Sequence, residues 1–204
     1  MSHPDAIDTL AGLTEDSPLS AIRDRKPITR QQAQTSYESL FEPEDPADVT
    51  LQERFVLAVF VAGLHADEPA VALYLAGLDR TAPPAAAVAA LTAEIANGRA
   101  IGPYGAYPKG PLSKEDVPGP AFAVAEPHRP MLGEKLAAAL AHVHMLVFHP
   151  RDANAASLQR LLDAGWSNTG IVTISQLTAF LAFQIRAAAG LRILAATPAQ
   201  RGTP

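Results

Sequence analysis

The chain of 204 residues contains no cysteine. That absence excludes disulfides, thiolate metal sites, thiolate-held iron–sulfur clusters and every mechanism with a cysteine nucleophile. Charge of one sign is also missing as a block: 16 Lys and Arg stand against 21 Asp and Glu, with no long run of either. The net charge of −5 argues against sequence-independent nucleic-acid binding, which needs several basic side chains to displace phosphate counterions. No uninterrupted apolar run of about 18 residues occurs, the length expected of a spanning helix. The opening stretch MSHPDAIDTLAGLTEDSPLS has no basic region leading into an apolar one, so no signal peptide is expected. These absences predict a cytoplasmic protein without nucleic-acid or membrane partners. A Gly-rich phosphate loop, a Gly-x-Ser-x-Gly elbow and a His-Glu-x-x-His motif are all lacking too, so neither a cofactor nor a metal is expected.

What is present is apolar and helical. The hydrophobic share is 48%, with a mean hydropathy of +0.07, enough for one compact domain or two small, closely packed halves. Residues 1–50 read as an arm of short helices, 5–13, 17–24 and 29–41, with Ser17 before Pro18 as an N-cap. Thr50 and Glu53 form a Thr-x-x-Glu capping box opening a helix to Leu64 that is apolar all round, hence buried. Further helices are expected over 67–79, 85–97, 133–149, 154–164 and from 168 or 170 to 194. Between Gly98 and Pro130 the chain is crowded with Gly and Pro and has no periodicity. A loop that long is uncommon in a compact domain, and Tyr104, Tyr107 and Phe122 suggest that it packs as a covering segment. No stretch alternates apolar and polar residues, so the predicted fold is all-α, a helical bundle.

In LQERFVLAVFVAGLHADEPAVALYLAGL, residues 51–78, Glu53 stands twelve positions before His65, and His65 three before Glu68. This layout resembles the core motif of the alkylhydroperoxidase D and carboxymuconolactone decarboxylase superfamily, in which a Glu precedes a Cys-x-x-Cys pair by the same interval, with a His four residues beyond. Here His65 and Glu68 occupy the cysteine positions and Ala72 that of the histidine. The block beginning LAAALAHVHMLVFHP and ending FQIRAAAGL resembles the second half of the peroxidase-related branch. Together the two blocks span about half the chain. The resemblance implies an alkylhydroperoxidase D-like bundle over 51–204, assembled as a dimer, trimer or hexamer, without dithiol peroxidase activity. It also implies, if the protein is an enzyme, cofactor-free proton transfer of decarboxylase or isomerase type on a small organic acid or lactone.

Glu53, His65 and Glu68 are then the candidate catalytic residues, with His65 as general base and a carboxylate orienting it. The plain alternative is that all three cap helices. A non-catalytic, oligomeric binding or accessory protein is the competing class, and a peroxidase-related role rests on the resemblance alone. His142, His144, His149 and Asp152 look like metal ligands, but positions 142 and 144 point to nearly opposite sides of a helix and 149 lies beyond the next turn, so joint ligation is not expected. Gln176, Phe180 and Gln184 fall on one stripe with Arg186 nearby, read as interhelical or subunit contacts. Arg129 and Arg151 are read as carboxylate binders or ion-pair partners.

Overall fold

A computed structural model describes residues 4–14, 16–102 and 104–197. The expected outer ends of the arm, 1–3, and of the helical domain, 198–204, lie outside the described residues. Among the described residues there are ten α-helices and no strand: α1 (Ala6–Ala11), α2 (Pro18–Asp24), α3 (Pro27–Phe41), α4 (Leu51–Leu64), α5 (Glu68–Asp79), α6 (Ala85–Gly98), α7 (Arg129–Leu132), α8 (Glu134–Phe148), α9 (Ala155–Asp163) and α10 (Asn168–Ala196). The fold is all-α.

Local chemistry accounts for the ends. Ser17, Asp67, Asn154 and Ser167 each accept a backbone N–H in the first turn of α2, α5, α9 and α10, satisfying donors that a helix start leaves orphaned. The capping box of α4 is complete, with Glu53 accepting the Thr50 N–H at 2.8 Å. α3 starts at Pro27, two residues before the expected Thr29, because Pro at the first position fixes a helical φ without sacrificing a bonded N–H.

α4 is the centre of the bundle. From Arg54 to Leu64 every residue is buried, and α5, α6, α8 and α10 pack around it. Gly77 of α5 admits the Phe55 ring, since a Cβ there would lie 2.1 Å from it. Phe41, Phe55 and Tyr74 close the adjoining layer, with ring centroids 5.2 and 5.0 Å from Phe41, and the Tyr74 hydroxyl donates to Gln184 in the interior. Arg54 is 6% exposed. Its guanidinium donates to the carbonyls of Val49 at 2.9 Å, Leu40 at 2.9 Å and Pro46 at 3.0 Å, gathering the C-terminal end of α3 and the turn before α4.

α10 is long and apolar enough, by length and composition, to cross a membrane, although no uninterrupted apolar run signals this in the sequence. In the bundle it packs on α1, α4 and α8 and buries one side through Ile174, Leu177, Leu181 and Ile185. The expected stripe of Gln176, Phe180 and Gln184 divides: Gln184 is fully buried while Gln176 is exposed, because eight residues at 3.6 per turn rotate the side chain by about 80°. Arg192 of α10 donates to the Leu10 carbonyl at 2.8 Å and pairs with Asp67, and so fastens α1 to the rest. Asp5, Asp8, Arg23 and Arg30 form an ionic cluster within the arm.

Candidate functional site

The three residues singled out by motif do not converge. Glu53 opens α4 and His65 is its C-cap, so about 18 Å of helix separates them. Glu53 is occupied by its capping box and by Lys135, whose Nζ lies 3.2 Å away. Glu68 is exposed in the first turn of α5, and no hydrogen bond joins it to His65. The acidic neighbour of His65 is Asp67, across a reversal at Ala66 with φ +52°. Burial and the Arg186 charge hold His65 below the ordinary imidazole range, against an opposing pull from Asp67, and its Nε2 is buried without a partner.

A different group shares one cavity. A cavity of about 760 Å³ lies between α8, α9 and the segment 120–124, and His142, His144, His149 and Asp152 all line it. His142 and His144 turn to different neighbours, Ser175 of α10 and the Gly98 carbonyl at the end of α6, as expected of positions 142 and 144 on one helix. The Gly/Pro segment closes over the cavity: Phe122 stacks on His144 at a centroid distance of 4.7 Å and meets Phe60 at 5.5 Å. α8 stops at Phe148, and His149 leaves the helix with φ −145°. It then meets Asp152 in the following turn, Nδ1 to Oδ2 at 2.9 Å. Asp152 Oδ1 accepts the Ala106 N–H at 3.2 Å, which fixes the carboxylate. Gly119 lies flat on the His149 ring, where a Cβ would come within 2.3 Å.

The 98–130 segment is therefore a wall. It carries one antiparallel bridge between Gly105 and Val117, and Arg151 braces it by donating to the Tyr104 carbonyl at 2.7 Å and lying 3.7 Å over the Tyr107 ring. Its far end hangs on Glu94 of α6, a fully buried carboxyl group that belongs to no motif. Glu94 Oε1 accepts the Ala125 N–H at 3.1 Å and lies 2.5 Å from His128 Nδ1. The only available signal was a lone Glu on an alanine-rich helix. Glu94→Ala removes the anchor of the wall, with an expected cost of about 1.5–3 kcal/mol, the range for hydrogen bonds to a charged group. Urea denaturation measures it, and an unchanged midpoint would refute the anchoring role.

Burial holds His142 and His144 below the ordinary imidazole range. Nearby Arg160 adds to this for His142 and nearby His149 for His144, where the Gly98 carbonyl opposes it. The unfolded chain takes up protons near the ordinary value of about 6.5, whereas the folded rings resist until a lower pH. The stability from His65, His142 and His144 is thus fully present above about pH 6.5 and is lost as pH falls below it. The urea midpoint is expected to drop between about pH 7.5 and about pH 5.5, and a flat profile would contradict the burial of these rings.

The cavity offers a small molecule an alanine-rich floor, including Ala137, Ala138 and Ala141, with the ring of His149, oriented by Asp152, in its wall. Among the described residues no group of three His, Asp or Glu is placed to hold a metal ion. These features define an all-α, cysteine-free protein with a histidine-lined cavity. No family model, curated protein or solved structure matches the chain.

Proposed function

We propose that the cavity binds a small, largely apolar organic acid or lactone, and that His149, oriented by Asp152, moves a proton on it without a cofactor, as a decarboxylase or isomerase would. The observation that carries this reading is the His149–Asp152 pair: the carboxylate holds Nδ1, and Nε2 remains buried and unpartnered in the residue that lines the cavity. A carboxylate behind an imidazole fixes its tautomer and supports a charged ring in the transition state. The cavity volume falls within the range of small-molecule sites. The resemblance of residues 51–78 to the decarboxylase superfamily favours the same reaction type, although the proton acceptor moves from His65 to His149.

Self-association belongs to the same proposal. Val172, Phe183 and Leu194 are exposed at eleven-residue spacing on the outer side of α10, apolar area that a second copy would cover.

The test is a panel of small acids and lactones followed by NMR for product, with wild type against His149→Gln. Turnover by wild type that disappears in the variant supports the reading. Turnover indifferent to His149 would sink it, and saturable binding without product would make the protein a binding or accessory component.

A further inference from the structure

His149 is sheltered. Its Nε2 is buried without a partner, so a molecule in the cavity reaches that nitrogen only after a neighbour moves. One face of the ring is covered by Gly119, where an added Cβ would lie 2.3 Å from Cγ and 2.5 Å from Nδ1. Gly119 ends a tongue, residues 104–119, that is held to the body at one place. Among the described residues both hydrogen bonds that leave the tongue end on one short turn: the Ala106 N–H donates to Asp152 Oδ1 at 3.2 Å, and Arg151 donates to the Tyr104 carbonyl at 2.7 Å. Arg151 also lies 3.7 Å over the Tyr107 ring. No apolar side chain of the tongue is buried, and Leu112 and Val117 are 50% and 45% exposed.

The base of the tongue is fastened differently. His144, 2% exposed, donates from Nε2 to the Gly98 carbonyl at 2.9 Å and carries the Phe122 ring stacked at 4.7 Å. The chain entering the tongue and the chain leaving it therefore meet on one buried ring, and Glu94 holds the Ala125 N–H just beyond, at 3.1 Å. Within the tongue the Gly105 N–H donates to the Val117 carbonyl and the Tyr107 N–H to Asp116, both at 2.6 Å, so it can move as a unit. Compact loops whose ends lie close together are frequently functional. Segments that bury few apolar groups and rely on exposed hydrogen bonds open at less cost than global unfolding.

We propose that residues 104–119 form a lid that lifts from Arg151 and Asp152, about its base at His144, and uncovers His149. The lid rests on the reading of His149 as the group that acts on the ligand, and adds the step that admits the ligand to it. Asp152 links the two: Oδ1 holds the lid and Oδ2 holds the ring, so lifting the lid also frees the carboxylate that orients His149. Closure over a bound ligand restores both contacts and shuts out water.

The experiment is carbethoxylation of the full chain by diethyl pyrocarbonate, which labels the imidazole nitrogens it can reach, read histidine by histidine by mass spectrometry. In Arg151→Ala, His149 is expected to react roughly tenfold faster than in wild type, the change in open population for the loss of one charged hydrogen bond. The converse variant is Gly105→Cys/Arg151→Cys, in a chain with no other thiol. A Cβ at Gly105 would lie 3.5 Å from Arg151 Cβ, within disulfide reach. Gly105 has φ +103°, so the oxidised and reduced forms of this variant are compared with each other, both carrying that strain. Oxidation is expected to slow the labelling of His149 by about tenfold or more. Partly exposed His128 is expected to label at one rate throughout, and buried His142 and His144 to stay protected. Equal rates at His149 in wild type and Arg151→Ala, or in the oxidised and reduced forms, would overturn the lid. So would labelling of His142 and His144 in step with His149, which marks global opening. A lid that fails this test leaves the organic-acid reading to the ligand panel, whose own failure would not alter these rates.

Discussion

Asp152→Asn is expected to lower turnover on any proton-transfer substrate by roughly 10²–10⁴-fold, the contribution of a positioned acid–base group, with the fold retained. The two carboxylate oxygens of Asp152 have different jobs: Oδ1 accepts the Ala106 N–H at 3.2 Å, and Oδ2 faces His149 Nδ1 at 2.9 Å. An Asn side chain has one acceptor oxygen. Kept on Ala106, it turns its NH₂ toward His149 Nδ1 and forces the hydrogen of the neutral ring onto Nε2, where the lone pair is needed. Turned the other way, it opposes its NH₂ to the Ala106 N–H and loosens the wall. The ratio of kcat/KM between wild type and variant reads the effect. Nitrogen NMR reads the tautomer of His149 without any substrate, and an unchanged tautomer with unchanged turnover would show that Asp152 is only a structural brace.

Arg54→Met is expected to cost roughly 3 kcal/mol, on the scale of losing hydrogen bonds from a buried charged donor. It would lower the thermal midpoint by about 6–12 °C for a chain of this size. Met fills the volume of the aliphatic stem but leaves the carbonyls of Val49, Leu40 and Pro46 without their shared donor. Burial lowers the Arg54 pKa, and the carbonyls at the end of α3 offset that penalty through their aligned dipoles. Differential scanning calorimetry decides, and a midpoint within about 2 °C of wild type would show that Arg54 is replaceable by packing alone.

Helices were legible because their ends are written locally. Thr50 with Glu53 and Ser17 with Pro18 each specify a start within four residues. The 98–130 segment was not legible as a wall, because what holds it is remote. Glu94 reaches Ala125 across 31 positions, and His144 meets Gly98 across 46. The histidines were visible as a set of residues, but the cavity that they share was not. Helical wheel reasoning separates 142 from 144, but it describes α8 alone and not the cavity beside it. His149 escaped because it follows the last turn of α8, where backbone angles depart from the helix. Glu53 and His65 share one helix in the motif, and twelve residues of straight helix are length and not contact.

The bond from Arg192 to the Leu10 carbonyl spans 182 positions of chain. Contacts of such sequence separation are slow to form, because the entropy of loop closure is spent before the contact rewards it. Docking of α1 onto α10 is therefore a late event of folding, after α4, α5, α6 and α8 have collapsed around their nearer neighbours. The same bond joins the two ends of the described chain, and the buried Ile7 and Leu10 of α1 complete the core beside α10.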